Sequence, residues 1–222
     1  MNVLIVLAHP EPKSLNGALA TAARETLAAA GHQVAFSDLH AMDFEPRSTR
    51  ANFIAAAEPG HFKPQAEERH ASATDGFVPA LDAEIAKLEA CDLMIWQFPF
   101  WWFGLPAALK GWVDRVFVSG RIYGGARIFE GGIKRGKRAM LSLTTGGTSS
   151  AYAPGGAMGD IMAMLKPIHR GMLEFIGFDV LTPNIVYAPA RLSDEARASA
   201  VKLWTARLGS IASETPIDVG RF

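Results

Sequence analysis

Residues 8–17 place a hydroxyl and an amide, Ser14 and Asn16, at the predicted start of a helix. The free N–H groups and the positive end of the helix dipole attract phosphate at such a position. The segment contains neither GxGxxG nor GxxxxGK[ST], which disfavours the dinucleotide-binding Rossmann fingerprint and the P-loop. It therefore predicts a phosphate contact. Simple N-capping by Ser14, with His9 as a hydrogen-bonded loop histidine, is the alternative.

Residues 98–103 contain five aromatic side chains in six positions. Aromatic residues of a buried core are usually spread over several elements, whereas a cluster at the end of a strand is typical of the wall around a flat ligand. The segment predicts such a wall. A local hydrophobic plug or a contact between subunits is the alternative.

Residues 144–152 combine several hydroxyl groups with the pair Gly146-Gly147. Adjacent glycines allow the backbone to approach a ligand closely, and neighbouring N–H groups can point at the electron-rich edge of a ring. Taken alone, the segment also matches a generic turn.

Apolar runs and helical patterns alternate along the chain and predict the elements that position these segments. Five runs predict buried strands of a parallel sheet, at residues 3–7, 33–37, 93–98, 139–144 and 178–187. The helical patterns lie at 15–27, with Gly31 as the stop signal, and at 81–90, 106–118, 161–176 and 194–211. This alternation predicts an α/β fold: a doubly wound parallel five-stranded sheet with helices on both faces.

Ligands of an open parallel sheet bind at the carboxyl ends of its strands. The three segments follow the first, third and fourth predicted strands, so we expect them to meet at one edge of the sheet. A phosphate contact, an aromatic wall and an amide-lined turn together suit a planar heterocycle that bears a phosphate. Flavin is the natural candidate.

We interpret residues 1–222 as a single domain with a long excursion at 41–79 and a C-terminal tail at 212–222. The excursion holds proline, histidine and charged residues without a clear period. We expect no more than one helical turn in it, and we expect the tail to be irregular.

The composition excludes several classes of protein. The 22 basic and 22 acidic residues balance, which argues against a nucleic-acid-binding domain. No apolar run approaches the roughly 18 residues of a membrane span. The single cysteine, Cys91, forms neither an internal disulfide nor a CxxC motif. Residues 1–8 lack the basic leader and cleavage pattern of a signal peptide, so the expected location is the cytoplasm.

Longer motifs carry a family resemblance over most of the chain. They are LAHPEPKSLNGAL at 7–19, SDLHAMDFEPR at 37–47 and QFPFWWFGLPAALKGWVDRV at 97–116, continued by SLTTGGTSSAY at 142–152 and a GF-VL-P pattern at 177–183. With these motifs the chain resembles the flavodoxin-like NAD(P)H:quinone oxidoreductases, the DT-diaphorase type. The resemblance implies a flavodoxin-like fold, non-covalently bound FAD rather than FMN, and a homodimer with its sites at the subunit interface.

The resemblance also implies the site residues. The pyrophosphate and ribityl chain would contact His9, Ser14, Leu15, Asn16 and Ala18. The isoalloxazine would be flanked by Pro99, Phe100, Trp101, Trp102 and Phe103, with Thr144, Thr145, Gly146 and Gly147 along its polar edge. Arg197 matches an arginine near the adenosine end. The substrate would contact Trp102, Tyr123 and Phe175, together with Gly146 and Gly147.

The implied reaction is a two-electron ping-pong transfer from NAD(P)H through flavin to a quinone. Tyr152 matches the tyrosine that stabilises negative charge building on the flavin, so it is the candidate catalytic and cofactor-binding tyrosine. Other readings are a flavodoxin-type electron carrier, a regulatory flavoprotein of a transport system, and an azo- or nitro-reductase. The zero net charge argues against the carrier, which would dock through an acidic surface.

The sequence departs from the family pattern in three respects. Met158 stands where some members pair the tyrosine with a histidine, so Tyr152 would act alone or with water. Ala190 replaces a glutamate near the adenine end. Arg170 and Glu174 occupy the metal-site positions of one branch, so we predict no metal.

Three further features are predicted to be structural. We expect His169 at the surface near a helix start, and residues 121–138, which hold six basic side chains, as a solvated loop. We expect Cys91 to open a buried strand as a small apolar residue.

Overall fold

The structure is a computed structural model that describes residues 1–221. Its six strands form one parallel sheet. The strand order is β2-β1-β3-β4-β5, and β6 also pairs with β4. The strands are β1 (Asn2–Leu7), β2 (Gln33–Asp38), β3 (Leu93–Pro99), β4 (Arg138–Thr145), β5 (Asp179–Val180) and β6 (Asn184–Tyr187). The order is that of the flavodoxin-like doubly wound fold, so the predicted fold class is confirmed.

The fifth position of the sheet consists of two short strands instead of the single predicted run. The strand β5 pairs with the start of β4, and β6 pairs with its end. Pro183 lies between them and has no N–H to donate to a ladder, which accounts for the break.

Helices cover both faces of the sheet. They are α1 (Leu15–Ala29), α2 (Pro64–Thr74), α3 (Pro79–Ala90), α4 (Ala107–Val116), α5 (Ile161–Ile168) and α6 (Asp194–Leu208). Alternate β1 side chains, such as Ile5 and Leu7, pack with α1 and α6. The side chains between them, such as Leu4 and Val6, pack in the core that contains α3, α4 and α5. This alternation is what a strand buried on both faces requires.

The excursion at 41–79 is more ordered than predicted. It contains the 11-residue helix α2, which begins with Pro64 and is capped after Thr74 by Asp75 in the left-handed conformation. Buried carboxylates fix this helix: Glu67 accepts the main-chain N–H of Ala57 at 2.6 Å, and Glu68 accepts that of Ser119 at 2.8 Å. These contacts are polar and join different segments of the chain. A local apolar period therefore could not have predicted this helix.

The predicted helix at 161–176 is composite. It continues from α5 as a π-helical turn over His169–Leu173 and ends in a 3₁₀ turn. The expectation for His169 was wrong: the side chain is 0% exposed and neither ring nitrogen has a hydrogen-bond partner. Burial lowers the pKa of His169 to about 4, which favours the neutral ring.

The basic segment at 121–138 is not simply a solvated loop. Lys134 is only 2% exposed, and its Nζ donates to the main-chain oxygens of Glu89 and Cys91 at 2.8 and 2.9 Å. Arg121 forms ion pairs with Asp82 and Glu89. Cys91 is buried, but it follows the last residue of α3 instead of opening a strand.

The C-terminal tail begins in a 3₁₀ turn at Ile211–Ser213 and has no helix or strand from Glu214 to Arg221. It returns to the sheet, where the N–H of Ile217 donates to the carbonyl of Val180 at 2.8 Å. Phe222, the last residue of the predicted tail, lies outside the described residues. No helix within residues 1–221 has both the length and the apolar character needed to cross a bilayer.

Candidate functional site

A cleft of about 390 Å³ opens at the carboxyl ends of β1, β3, β4 and β6. Its walls come from the loops that follow these strands and from α6. The lining residues are His9, Ser14, Leu15, Asn16, Pro99, Phe100, Trp101, Thr144, Thr145, Gly146, Ala188, Pro189, Ala190 and Arg197. The three segments singled out in the sequence therefore meet at one edge of the sheet.

The first wall is the loop that leads into α1. Ser14 is the N-cap residue, and its Oγ accepts the N–H of Gly17 at 3.1 Å. A Cβ at Gly17 would lie 2.1 Å from the carbonyl oxygen of Pro12, so only glycine allows the loop to fold this closely onto the helix. Both interpretations of Ser14, as a helix cap and as a phosphate contact, are compatible with this geometry, since Ser14 caps the helix and also lines the cleft.

His9 lies beside this helix start. Its Nδ1 lies 3.0 Å from the main-chain nitrogen of Glu11 and 3.1 Å from the carbonyl oxygen of the same residue, so Glu11 fixes the orientation of the ring. Partial burial lowers the pKa of His9. The imidazole lies 6.1 Å from the Trp101 ring, between centroids, and so connects the first wall to the aromatic one.

The aromatic wall ends in a tight turn. Trp102 and Phe103 both have positive φ angles, 51° and 59°, a conformation that strains residues with a side chain. The turn is closed by a hydrogen bond of 3.0 Å from the N–H of Gly104 to the carbonyl of Trp101. It keeps Phe100 and Trp101 in the cleft and leaves Trp102 96% exposed.

The third wall follows β4. Thr144 and Thr145 line the cleft with Gly146, whose missing Cβ would point into open space with no atom within 4 Å. A Cβ at Gly147 would instead lie 3.1 Å from the ring of Tyr152. Gly147 thus packs under the tyrosine, and Gly146 offers room to a ligand.

A fourth wall is formed by Ala188, Pro189 and Ala190 after β6, of which the sequence analysis placed only Ala190 near the cofactor. Ala188 has a positive φ of 46°, and its N–H donates to the carbonyl of Thr145 at 2.9 Å. The rule that ligands bind after each strand could have found this loop, but its small apolar side chains carry no chemical signal. The sequence analysis also missed Gln97, a buried residue of β3.

Arg197 closes the cleft from α6. Its guanidinium donates to the main-chain oxygens of Pro189 and Leu192 and pairs with Asp194. Beyond Arg197 lies an adjoining cleft of about 240 Å³, which Lys13 and Ala18 help to line. Ala18, a predicted cofactor contact, faces this second cleft.

Tyr152 lies behind the aromatic wall and is 7% exposed. Its ring packs on Phe100, Phe103 and Tyr187, with centroids 6.4, 6.5 and 6.3 Å away. Phe103 and Tyr152 therefore support the lining without forming it.

Tyr123 and Phe175 lie apart from this cleft. They form an aromatic cluster with Phe129, with centroids 5.7 Å apart for Tyr123–Phe175 and 5.4 Å for Phe129–Phe175. Arg170 places its guanidinium 4.0 Å above the Phe129 ring and pairs with Glu174 at 3.0 Å. Across residues 1–221, His, Cys, Asp and Glu do not assemble into a group of three that could hold a metal ion.

Comparisons with known proteins agree with this architecture. Residues 1–208 match the model of the flavodoxin-like fold family. Over 216 residues the chain is 42% identical to ribosyldihydronicotinamide dehydrogenase [quinone] of Pongo abelii, covering 97% of this chain and 94% of that protein. The chain belongs to the flavodoxin-like NAD(P)H:quinone oxidoreductase family.

Two further similarities support membership of this family. The chain is 41% identical over 215 residues to NAD(P)H dehydrogenase [quinone] 1 of Cavia porcellus, covering 96% of this chain and 78% of that protein. A crystal structure of a protein assigned as a quinone reductase from Klebsiella pneumoniae superposes with a TM-score of 0.92 at 38% identity, covering 98% and 87% of the two chains.

Proposed function

We propose that this protein is a flavin-dependent NAD(P)H:quinone oxidoreductase that works by two-electron, ping-pong hydride transfer. The observation that carries the proposal is the cleft itself, in which a helix N-terminus, an aromatic wall and the open turn at Gly146 face one another. A bound flavin would accept hydride from a reduced nicotinamide and then deliver hydride to a quinone.

The residues fit a flavin in three ways. The first turn of α1 offers main-chain N–H donors to phosphate, and the imidazole of His9 lines the cleft beside it. Phe100 and Trp101 offer flat surfaces to the ring. The space at Gly146 lets main-chain N–H groups approach its polar edge, beside the hydroxyls of Thr144 and Thr145.

The second cleft supports FAD rather than FMN. It continues from the main cleft past Ser14, Leu15 and Arg197, and Lys13 adds a positive charge at its rim. Its volume of about 240 Å³ gives the adenosine half of a dinucleotide a place that FMN would leave empty.

Tyr152 would stabilise the negative charge that develops during flavin reduction, because a hydroxyl held in a low-dielectric site lowers the barrier to charge build-up. Its aromatic surroundings fix the ring in place. Met158 lies where some family members have a histidine, so Tyr152 would do this alone or with water.

A second copy of the chain would complete the substrate pocket. The aromatic turn exposes Trp101, Trp102 and Phe103, and the segment after Tyr152, whose ring packs on Phe103, exposes Met158 and Met162. Exposed apolar side chains of this kind are typical of an interface. The cluster of Tyr123 and Phe175 would then contact a quinone in the partner's cleft. We also propose a cytoplasmic location, where reduced nicotinamides are available.

The experiment releases the bound flavin from purified protein, identifies it, and measures turnover of NADH and NADPH with a benzoquinone. We expect FAD and rapid quinone reduction. A colourless protein that takes up neither flavin would overturn the proposal. Bound FMN with negligible quinone turnover would favour the regulatory protein or the electron carrier.

Sedimentation tests the dimer. Trp102→Ser should shift the protein towards monomer, whereas Leu203→Ser, which removes an exposed apolar side chain on α6, should not. Equal sedimentation of wild type and Trp102→Ser would contradict the proposed interface.

A further inference from the structure

Gln97 is a polar residue buried at a position where the sheet otherwise has apolar side chains. It follows Leu93 and Ile95 along β3, on the face that packs against α1 and α6. Gln97 is 1% exposed and does not line the cleft. Burying an amide costs free energy unless its hydrogen bonds are formed, so this position calls for a physical explanation.

Two hydrogen bonds connect Gln97 to the cleft. Its Nε2 donates to Oδ1 of Asn16 at 2.8 Å, while its Oε1 is buried without a hydrogen-bond partner among residues 1–221. The Nδ2 of Asn16 then donates to Oγ1 of Thr144 at 2.9 Å. Asn16 and Thr144 both line the cleft, so a side chain outside the site is connected to two inside it.

The direction of these bonds determines what the Thr144 hydroxyl can do. Because Asn16 accepts from Gln97 through its oxygen, it must present its NH₂ group to Thr144. A hydroxyl that accepts one hydrogen bond still has its single proton to donate. None of the hydrogen bonds formed among residues 1–221 uses the Thr144 hydroxyl as donor. Its proton is therefore available to an acceptor in the cleft.

We propose that Gln97 is a positioning residue that sets the donor direction of Thr144 through Asn16. In this role it directs the Thr144 proton at an acceptor atom on the polar edge of the bound flavin. The inference rests on the proposed function, since it takes the ligand of the cleft to be a flavin. Gln97 itself does not contact the ligand.

Gln97→Met tests the proposal because it removes the donor while keeping an unbranched side chain of similar length. Asn16 then loses the bond that fixes its orientation, and Thr144 can turn its proton towards Asn16. We expect flavin to bind the apoprotein roughly tenfold more weakly, the loss of about one hydrogen bond. The measurement is fluorescence titration of flavin-free protein, which needs no turnover.

A double-mutant cycle with Thr144→Val separates this role from a general weakening of the fold. If Gln97 acts through the Thr144 hydroxyl, Gln97→Met should change flavin affinity little once that hydroxyl is absent. If the two losses add, Gln97 acts in another way and the proposal is overturned.

Asn184→Leu is the matched control. In the wild type, Nδ2 of Asn184 on β6 donates to Oγ of Ser142 on β4 at 2.9 Å, an amide–hydroxyl pair outside the cleft lining. The substitution should lower the melting temperature without changing flavin affinity. If Gln97→Met does not fold, Gln97→Leu replaces it, because it also lacks the donor to Asn16 and buries no charge.

The outcomes separate the two proposals. A wild-type apoprotein that takes up neither FAD nor FMN overturns the proposed function and this inference with it. A wild type that binds flavin, with Gln97→Met binding equally well, overturns only the role of Gln97. A loss of flavin affinity in Asn184→Leu as large as that in Gln97→Met also overturns only the role of Gln97.

Discussion

The ring of Tyr152 packs on the ring of Phe103, with centroids 6.5 Å apart. Phe103 belongs to the strained turn of the aromatic wall, so the position of the candidate catalytic tyrosine depends on the turn at Trp102 and Phe103. Phe100 and Tyr187 contact the same ring from other sides. Aromatic packing therefore holds the ring of Tyr152 in place.

Tyr152→Phe should slow flavin reduction by about 10- to 100-fold while the aromatic packing persists, because only the donor to the developing charge is lost. Stopped-flow absorbance of flavin reduction by NAD(P)H measures this step. Tyr187→Phe removes the neighbouring hydroxyl and is the matched control, with little change expected. An unchanged rate in Tyr152→Phe would remove the tyrosine from the reaction.

Gly146→Ala should weaken flavin binding by roughly tenfold or more, because the added methyl occupies space that the ligand needs. The protein itself should keep its melting temperature, since a Cβ at this position meets no atom within 4 Å. Gly60→Ala also adds a methyl in open space, but outside the cleft lining, and should leave flavin affinity unchanged. Equal flavin affinities in wild type, Gly146→Ala and Gly60→Ala would argue against a ligand at the Gly146 turn.

His169 should make the protein less stable in acid. Its pKa is lowered to about 4 in the folded state from 6.5, so below pH 6.5 the unfolded chain binds a proton that the folded chain does not. The free energy of unfolding should fall as the pH drops from about 6.5 to about 4, by on the order of 2–3 kcal/mol from this residue.

Urea denaturation across this pH range measures the effect. His169→Leu should show a shallower loss of stability than wild type, because it has no ring to protonate. His61→Leu, which changes an exposed histidine, should follow the wild-type slope. Parallel slopes for wild type and His169→Leu would contradict the prediction.

Lys134→Met should destabilise the protein by about 2–3 kcal/mol, because it leaves the carbonyls of Glu89 and Cys91 buried without their donor. Lys137→Met is the control. Lys137 pairs with Asp92 at 2.6 Å but is partly exposed, and such a pair contributes less than about 1 kcal/mol. Thermal or chemical denaturation distinguishes the two variants. Equal losses of stability in Lys134→Met and Lys137→Met would contradict a special contribution of the buried Lys134 amine.

The sequence was sufficient for the class of fold and for three of the four cleft walls. Strand β1 and helix α1 are visible locally, because an apolar run followed by Ser14 and a helical period needs no distant partner. The rule that ligands bind after parallel strands then brought residues 8–17, 98–103 and 144–152 together. Among the predicted contacts, Asn16, Trp101 and Gly146 line the cleft, whereas Trp102 points to solvent.

By itself, then, the sequence determined the order of elements and the loops that form the cleft, since both follow from local periodicity and from one rule of sheet topology. Only the tertiary structure decided the helix at Pro64–Thr74, the burial of His169 and the hydrogen bonds that join Gln97 to Thr144. Each depends on partners far away in the chain. Burial and the direction of a hydrogen bond are set by which segments pack together, and a local pattern of residue types does not contain that information.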